Sequence, residues 1–397
     1  MRTIAAFLLL PLAVGIERFA WYGSRSAMYA RFDEVGGGRA AMGDMGPLVL
    51  VGGLVAGLLA VALLPRVVLV AFGVLCAAGY LLAGTTHEHD VLVWGIRFAM
   101  IGSGGLKACL YGLALLVMPT PRLRTLYIVL TYLVVHGAAM IATPMVGLLR
   151  SHVGPSTLLI VAGVLLCAGL VPAVVVIVVD KLATRDARPA VDHGRALVGA
   201  VVMALCTAPL YAAMSAASRQ MFDGGTSAST AGMIHGALTL ATSAGLMAFA
   251  VYLLARGDKE DASPTPQSLI VGAALALGVV AALVALGNNL VTSVLAGGLF
   301  AIAEIAAPVA LARGLANQHP RAVTLVAAFM LAFSWSGNGL GGTDVDARVP
   351  LLAGAFLCAV GAGLLIALGR KLDAFLDAPP APPPESWLTG SSSRPPQ

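Results

Sequence analysis

Long apolar runs separated by short polar stretches set the pattern of the chain. Runs of about 18–28 residues are long enough to cross a bilayer as helices. They begin near Thr3, Gly46, Val67, Val91, Leu126 and Thr157, and then near Ala196, Thr230, Ser268, Val291, Thr324 and Pro350. The pattern predicts an all-α membrane protein with 12 transmembrane helices in two six-helix halves. The runs are too long and too uniformly apolar for the alternating strands of a transmembrane β-barrel.

The break falls at Asp180–Arg195, which carries Lys181, Arg185, Arg188 and Arg195. Six plus six spans around a charged central loop is the plan of the major facilitator fold, whose two halves enclose a midplane site. The expected division is an N-terminal half over 1–179, a cytoplasmic loop over 180–195, a C-terminal half over 196–368 and a disordered tail over 369–397. The tail is expected to be disordered because it turns Pro- and Ser-rich from Pro379 onward.

Composition agrees with a membrane chain. Hydrophobic residues make up 59% and charged ones 11%, where a soluble chain would carry about 25% charged. With the N-terminus inside, loops and tails on the inner side hold 15 of the 24 Lys and Arg, and the outer loops hold 5. The positive-inside rule then puts both termini in the cytoplasm of a multi-pass protein of the cell (inner) membrane. The net charge of +5 is therefore topological, and nucleic acid is not an expected partner. Met1-Arg2 before an apolar run imitates a signal peptide, but no small-residue cleavage site precedes Glu17, so a retained first span is expected. Cys76, Cys109, Cys167, Cys206 and Cys358 lie in spans at no metal-ligand spacing and read as packed thiols. No metal, cofactor or enzymatic activity is expected, since the chain has no soluble domain or nucleotide loop. A monomer is expected.

The first span is the exception to apolar monotony. It contains Glu17, Arg18 and Arg25, and each charge deep in a bilayer helix costs about 2.5–3.5 kcal/mol on insertion scales. Arg18, Tyr22 and Arg25 follow i, i+4, i+7 and share a face, with Glu17 turned about 100° away. One face of this helix is predicted to line a polar path.

Of the 19 Asp and Glu, only Glu17 and Glu304 lie deep in spans. Against them stand Arg18, Arg25 and Lys107, with Arg97 near enough to a span end to snorkel. The excess of positive charge calls for an anionic ligand such as a carboxylate. Because adjacent helix positions diverge, Glu17 and Arg18 are each expected to meet a partner on another span; the alternative is a structural pair between them. Glu17 and Glu304 are the candidate proton carriers. Arg18, Tyr22, Arg25, Lys107, His136, His235 and Glu304 are the candidate substrate contacts. Asn288 and Asn289 read as turn formers, and Ser336 and Asn338 beside Gly337 as a close helix approach. The loop residues His87, Glu88, His89 and Asp90 read as a solvated turn.

The segment Glu17-Arg18-Phe19-Ala20-Trp21-Tyr22-Gly23-Ser24-Arg25 resembles the ExxERFxYYGxR motif of the proton-dependent oligopeptide transporters, a branch of the major facilitator superfamily. Gly102-Ser103-Gly104-Gly105-Leu106-Lys107 is similar to that family's GTGxxKPN, with Ala108-Cys109 where Pro-Asn is usual. Leu126 to Leu149, with Tyr132, His136 and Pro144, resembles FYxxINxGxxxxP in an imperfect register. Ala303-Glu304-Ile305-Ala306-Ala307-Pro308-Val309 resembles GExxxSPVG. The resemblance implies that Arg18 and Lys107 hold a peptide's carboxylate and that Glu17 exchanges a proton. It implies too that Glu304 faces the ligand's amino end, or pairs with Lys107 to close an inner gate. Val14 stands where the family has the first Glu, and Ala213 or Met214 stands where it has an acid in span 7. With that partner missing, Arg25 and Asp223 are expected to form a displaced outer gate.

The expected function is proton-coupled symport of di- or tripeptides, or of other small carboxylate-bearing solutes. The rival readings are a proton-coupled exporter of drug-like or natural-product molecules and a non-transporting sensor or scaffold.

Overall fold

The computed structural model describes residues 2–35, 45–63, 65–117, 121–149, 152–180, 193–223, 228–255, 266–315, 320–341 and 345–377. Among these it is helical with short turns. The elements are α1 (Arg2–Glu34), α2 (Met45–Ala62), α3 (Pro65–Thr85), α4 (His89–Val117), α5 (Pro121–Leu149), α6 (Pro155–Asp180), α7 (His193–Asp223), α8 (Ala228–Ala255), α9 (Gln267–Ala285), α10 (Leu290–Ala303), α11 (Ala306–Leu315), α12 (Pro320–Gly341) and α13 (Arg348–Asp377). Each expected span is present, with α10 and α11 together making the tenth. Helices α3, α5, α6 and α12 begin on proline, where its missing N–H costs nothing and its fixed φ suits the first turn. The Asn289 side chain caps α10 by accepting from the Thr292 N–H at 2.9 Å, while the Thr292 hydroxyl accepts from the Asn289 backbone N–H at 3.1 Å. Asn288 beside it has φ 49°, so both asparagines form the turn.

Among the described residues, eight helical spans are long and apolar enough to cross a membrane, and shorter apolar segments lie in α2, α8 and α12. The outer faces carry exposed Leu58, Val171, Leu295 and Phe356, as a lipid-facing surface requires. Among the cysteines, Cys76, Cys109 and Cys358 are buried and Cys206 is half-buried, but Cys167 is exposed on α6. A thiol on a lipid-facing stripe need not pack.

The helix pairings repeat between the halves. In the first half α1 packs on α5 and α6, α3 on α4 and α6, and α2 on α4. In the second, α7 packs on α12 and α13, α9 on α10 and α13, and α8 on α10. These are the same contacts with each span advanced by six. The halves meet where α2 touches α12 and α5 touches α8, again a symmetric exchange, with α4 on α12 and α5 on α11 nearer the centre. Spans 4 and 10 are thus counterparts, as are spans 5 and 11.

Two boundaries of the domain division differ from expectation. Helix α7 begins at His193 rather than near Ala196, and α13 continues through 369–377, taken from sequence as tail. The reason for the second lies in Asp373. Its carboxylate accepts from Arg313 Nε of α11 at 2.9 Å and from the Ser268 hydroxyl of α9 at 2.6 Å, while Arg313 Nη2 donates to its carbonyl at 2.7 Å. Three helices are tied together there, so the end of α13 is held by packing rather than left in solvent. The remaining tail, 378–397, lies outside the described residues.

Candidate functional site

Glycines set the position of α4. A Cβ on Gly104 would overlap the Val49 carbonyl of α2, and one on Gly102 would overlap the Cys76 backbone of α3. Small residues at such crossings let backbones approach closely. The motif around Gly102–Gly105 therefore brings α4 against α2 and α3 and fixes where Ser103 and Lys107 stand.

Ser103 completes a buried triangle with α1. Arg18 Nε and Nη2 donate to the two carboxylate oxygens of Glu17, making a two-pronged pair between adjacent residues. The Ser103 hydroxyl donates to Glu17 Oε1 at 2.6 Å, and Arg18 Nη2 donates to Ser103 Oγ at 2.8 Å. Glu17 and Arg18 are 3% and 1% exposed. The expectation that each would find its partner on another span does not hold. Both side chains are long enough to fold back across the 100° between their positions, and desolvation makes the nearest opposite charge decisive. The Arg18 guanidinium also lies 5.2 Å from the Trp21 ring centroid.

Lys107, two turns or less beyond Ser103 on α4, sits differently. Its ammonium lies 5.2 Å from the ring centroid of Trp335 on α12, in the other half of the molecule. Trp335 meets Trp21 edge-on at 6.1 Å. Among the described residues no carboxylate lies within ion-pair distance of Lys107. Beside it is a small cavity of about 10 Å³ whose walls include Val49, Gly53, Ala328, Leu331 and Trp335.

Glu304 stands at a break in its span. Pro308 has no N–H to give the Glu304 carbonyl, and its ring crowds the carbonyl four residues back. The carbonyl is met instead by the Ala307 N–H at 3.0 Å. The helix consequently parts at Glu304 and Ile305, between α10 and α11. The Glu304 carboxylate reaches across the halves to His136 of α5, whose Nε2 lies 3.3 Å from Oε2, and within its own half the Tyr211 hydroxyl of α7 donates to Oε1 at 3.4 Å. His136 Nδ1 lies 2.8 Å from the Tyr132 carbonyl, and the Tyr132 ring is stacked with the His136 ring at 6.5 Å. Of the two roles the resemblance implied for Glu304, the ion pair with Lys107 is absent among the described residues, where His136 and Tyr211 meet the carboxylate.

The structure thus brings Lys107, His136 and Glu304 to the contacts between the two halves, while Glu17 and Arg18 pair within the first half, against Ser103 of α4. Tyr22, half-buried on α1, is near enough to interact electrostatically with Arg18 and Tyr132. The side chains of Arg25, Asp223, His235 and Asn338 lie outside the described residues. Arg97 lies 4.9 Å over the ring of Trp94, itself exposed, near the start of α4. Sequence reading missed the roles of Ser103, Trp335, Tyr211 and Pro308. A tryptophan well inside a span, away from the headgroup belt, and a proline four residues after a buried acid were the available signals.

No protein-family model matches the sequence, and no curated protein matches it. Solved structures do match in shape. The human organic anion transporter MFSD10 (TETRAN) superposes with a TM-score of 0.66 at 14% identity, over 94% of this chain and 99% of that one. FucP in its outward conformation gives 0.66 at 14% identity, and the E. coli fucose:proton symporter FucP with an N162A substitution gives 0.65 at 15%, with the same coverage. At that length and agreement, the chain is a multi-pass membrane protein with the major facilitator fold.

Proposed function

We propose that this protein is a proton-coupled secondary transporter, a symporter of small carboxylate-bearing solutes among which di- and tripeptides are candidates. It resides in the cell (inner) membrane with both termini cytoplasmic. The observation that carries the reading is the bond from Glu304 of the second half to His136 of the first. In a fold whose halves rock around a central site, such a bond must form in one state and break in another. A proton delivered to Glu304 removes the charge that attracts His136 and frees the halves to move. Glu17, held by Arg18 and Ser103, is the second carboxylate able to carry a proton.

Other observations support symport. The Glu17–Arg25 and Gly102–Lys107 segments resemble the oligopeptide transporters, and one of the similar folds belongs to a fucose:proton symporter. The test is reconstitution into liposomes with an inside-negative, inside-alkaline gradient. Labelled peptides, amino acids and organic anions would be scored for accumulation against empty liposomes. Concentration of any of these that collapses with an ionophore is the expected result. Transport that ignores the proton gradient would sink the coupling.

A further inference from the structure

The charge pattern of the site bears on the kind of solute, given the transporter reading above. A zwitterionic peptide brings an ammonium as well as a carboxylate, and a buried site must meet both with opposite charges. The chain has two deep carboxylates, Glu17 and Glu304. Glu17 is enclosed by two nitrogens of Arg18, Nε and Nη2, and by Ser103. Glu304 is taken by His136 and Tyr211. In this conformation neither is offered to a ligand's ammonium, and the proton that releases Glu304 from His136 leaves its carboxyl group neutral.

The deep cations are not equally engaged. Arg18 is committed to Glu17, whereas Lys107 rests on the face of Trp335 with no carboxylate of the described residues in ion-pair reach. An aromatic face attracts a cation by about 0.5–2 kcal/mol, much less than a desolvated carboxylate would, so it leaves the ammonium available. Around Lys107 the walls are apolar. Val49 and Gly53 come from α2, and Ala328, Leu331 and Trp335 from α12. The small space they enclose lies on the seam where the halves meet.

We propose that the solute is an organic monoanion with an apolar body and no ammonium group. Its carboxylate binds Lys107, and its body lies against Trp335 and the apolar walls between α2 and α12. Opening of that seam would enlarge the space to the solute's size, and closing would return Lys107 to Trp335.

The test measures direct binding to the purified full-length protein by scintillation proximity, with tritiated 3-phenylpropionate and tritiated alanylphenylalanine as probes. The expected result is saturable binding of 3-phenylpropionate and at least tenfold weaker binding of the dipeptide. Lys107→Gln should weaken 3-phenylpropionate about 10- to 100-fold, the worth of a charge-assisted contact. Lys107→Arg should restore part of that loss. Trp335→Ala should weaken it about 3- to 10-fold, the worth of an aromatic contact. Uptake into liposomes, corrected with protein-free liposomes because weak acids cross bilayers unaided, should rank the two probes in the same order. Dipeptide binding and uptake equal to or better than the monoanion's overturns the monoanion while leaving the transporter intact. Unchanged 3-phenylpropionate binding in folded Lys107→Gln overturns the placement. Neither probe bound nor carried by monodisperse protein would bring down both readings.

Discussion

His136 Nε2 stands 3.3 Å from Glu304 Oε2, joining span 5 of one half to span 10 of the other. Its counterpart under the repeat of helix pairings is the contact of Trp335, on span 11, with Lys107, on span 4. The same two positions of the architecture are therefore filled by a carboxylate with its imidazole and by a cation with an indole. The fold is symmetric in its packing and asymmetric in its charge. That asymmetry suits a cycle in which one position answers to protons and the other to a solute.

If His136–Glu304 couples protons to motion, Glu304→Gln should lose gradient-driven accumulation while keeping solute exchange in counterflow. The amide retains the shape and hydrogen-bonding capacity of the carboxyl group but cannot gain or lose the proton. His136→Ala should show the same split and raise basal exchange, since the tie between halves is cut. Counterflow lost together with accumulation in well-folded protein would mean that Glu304 contacts the solute instead.

Arg18→Ala should be difficult to fold. It strands Glu17 in a site where both partners are almost fully buried, and an uncompensated buried charge costs about 3–5 kcal/mol. The double variant Glu17→Leu/Arg18→Leu removes the stranded charge and should recover most of the thermal stability in detergent while remaining inactive. Equal melting of Arg18→Ala and the parent would mean that water reaches Glu17.

Pro308→Ala tests the break that presents Glu304. Restoring the N–H lets the helix close across residues 304 and 305, turning the carboxylate away from His136. Accumulation should fall by about tenfold or more, as misplacement by an ångström can cost 100-fold, while stability holds or rises slightly. Full activity of Pro308→Ala would show that Glu304 does not depend on the break.

Asp373→Ala should unlatch the end of α13 from Arg313 and Ser268. A buried arginine left without its carboxylate predicts destabilisation of about 3–5 kcal/mol. Truncation after 377 should be harmless by comparison. Both can be read as melting temperatures of the purified variants.

The sequence by itself determined the architecture, because the bilayer imposes a length and an apolarity on each span that can be counted along the chain. The same counting singled out Glu17, Arg18, Lys107 and Glu304, since a charge in an apolar run stands out without any coordinates. It also identified Asn288 and Asn289 as a turn, where local chemistry suffices. Only the tertiary structure decided who pairs with whom. Glu17 could have met Lys107, and Glu304 was expected to, but pairing depends on which helices the glycines of α4 let come close and on which way Pro308 turns a carboxylate. Asp373 shows the same limit: residues 369–377 read as tail because their local composition is polar, and they are ordered because a distant arginine and serine meet them. Length and hydropathy are properties of one segment at a time, whereas a site is a relation among segments, set by packing distances that no single segment carries.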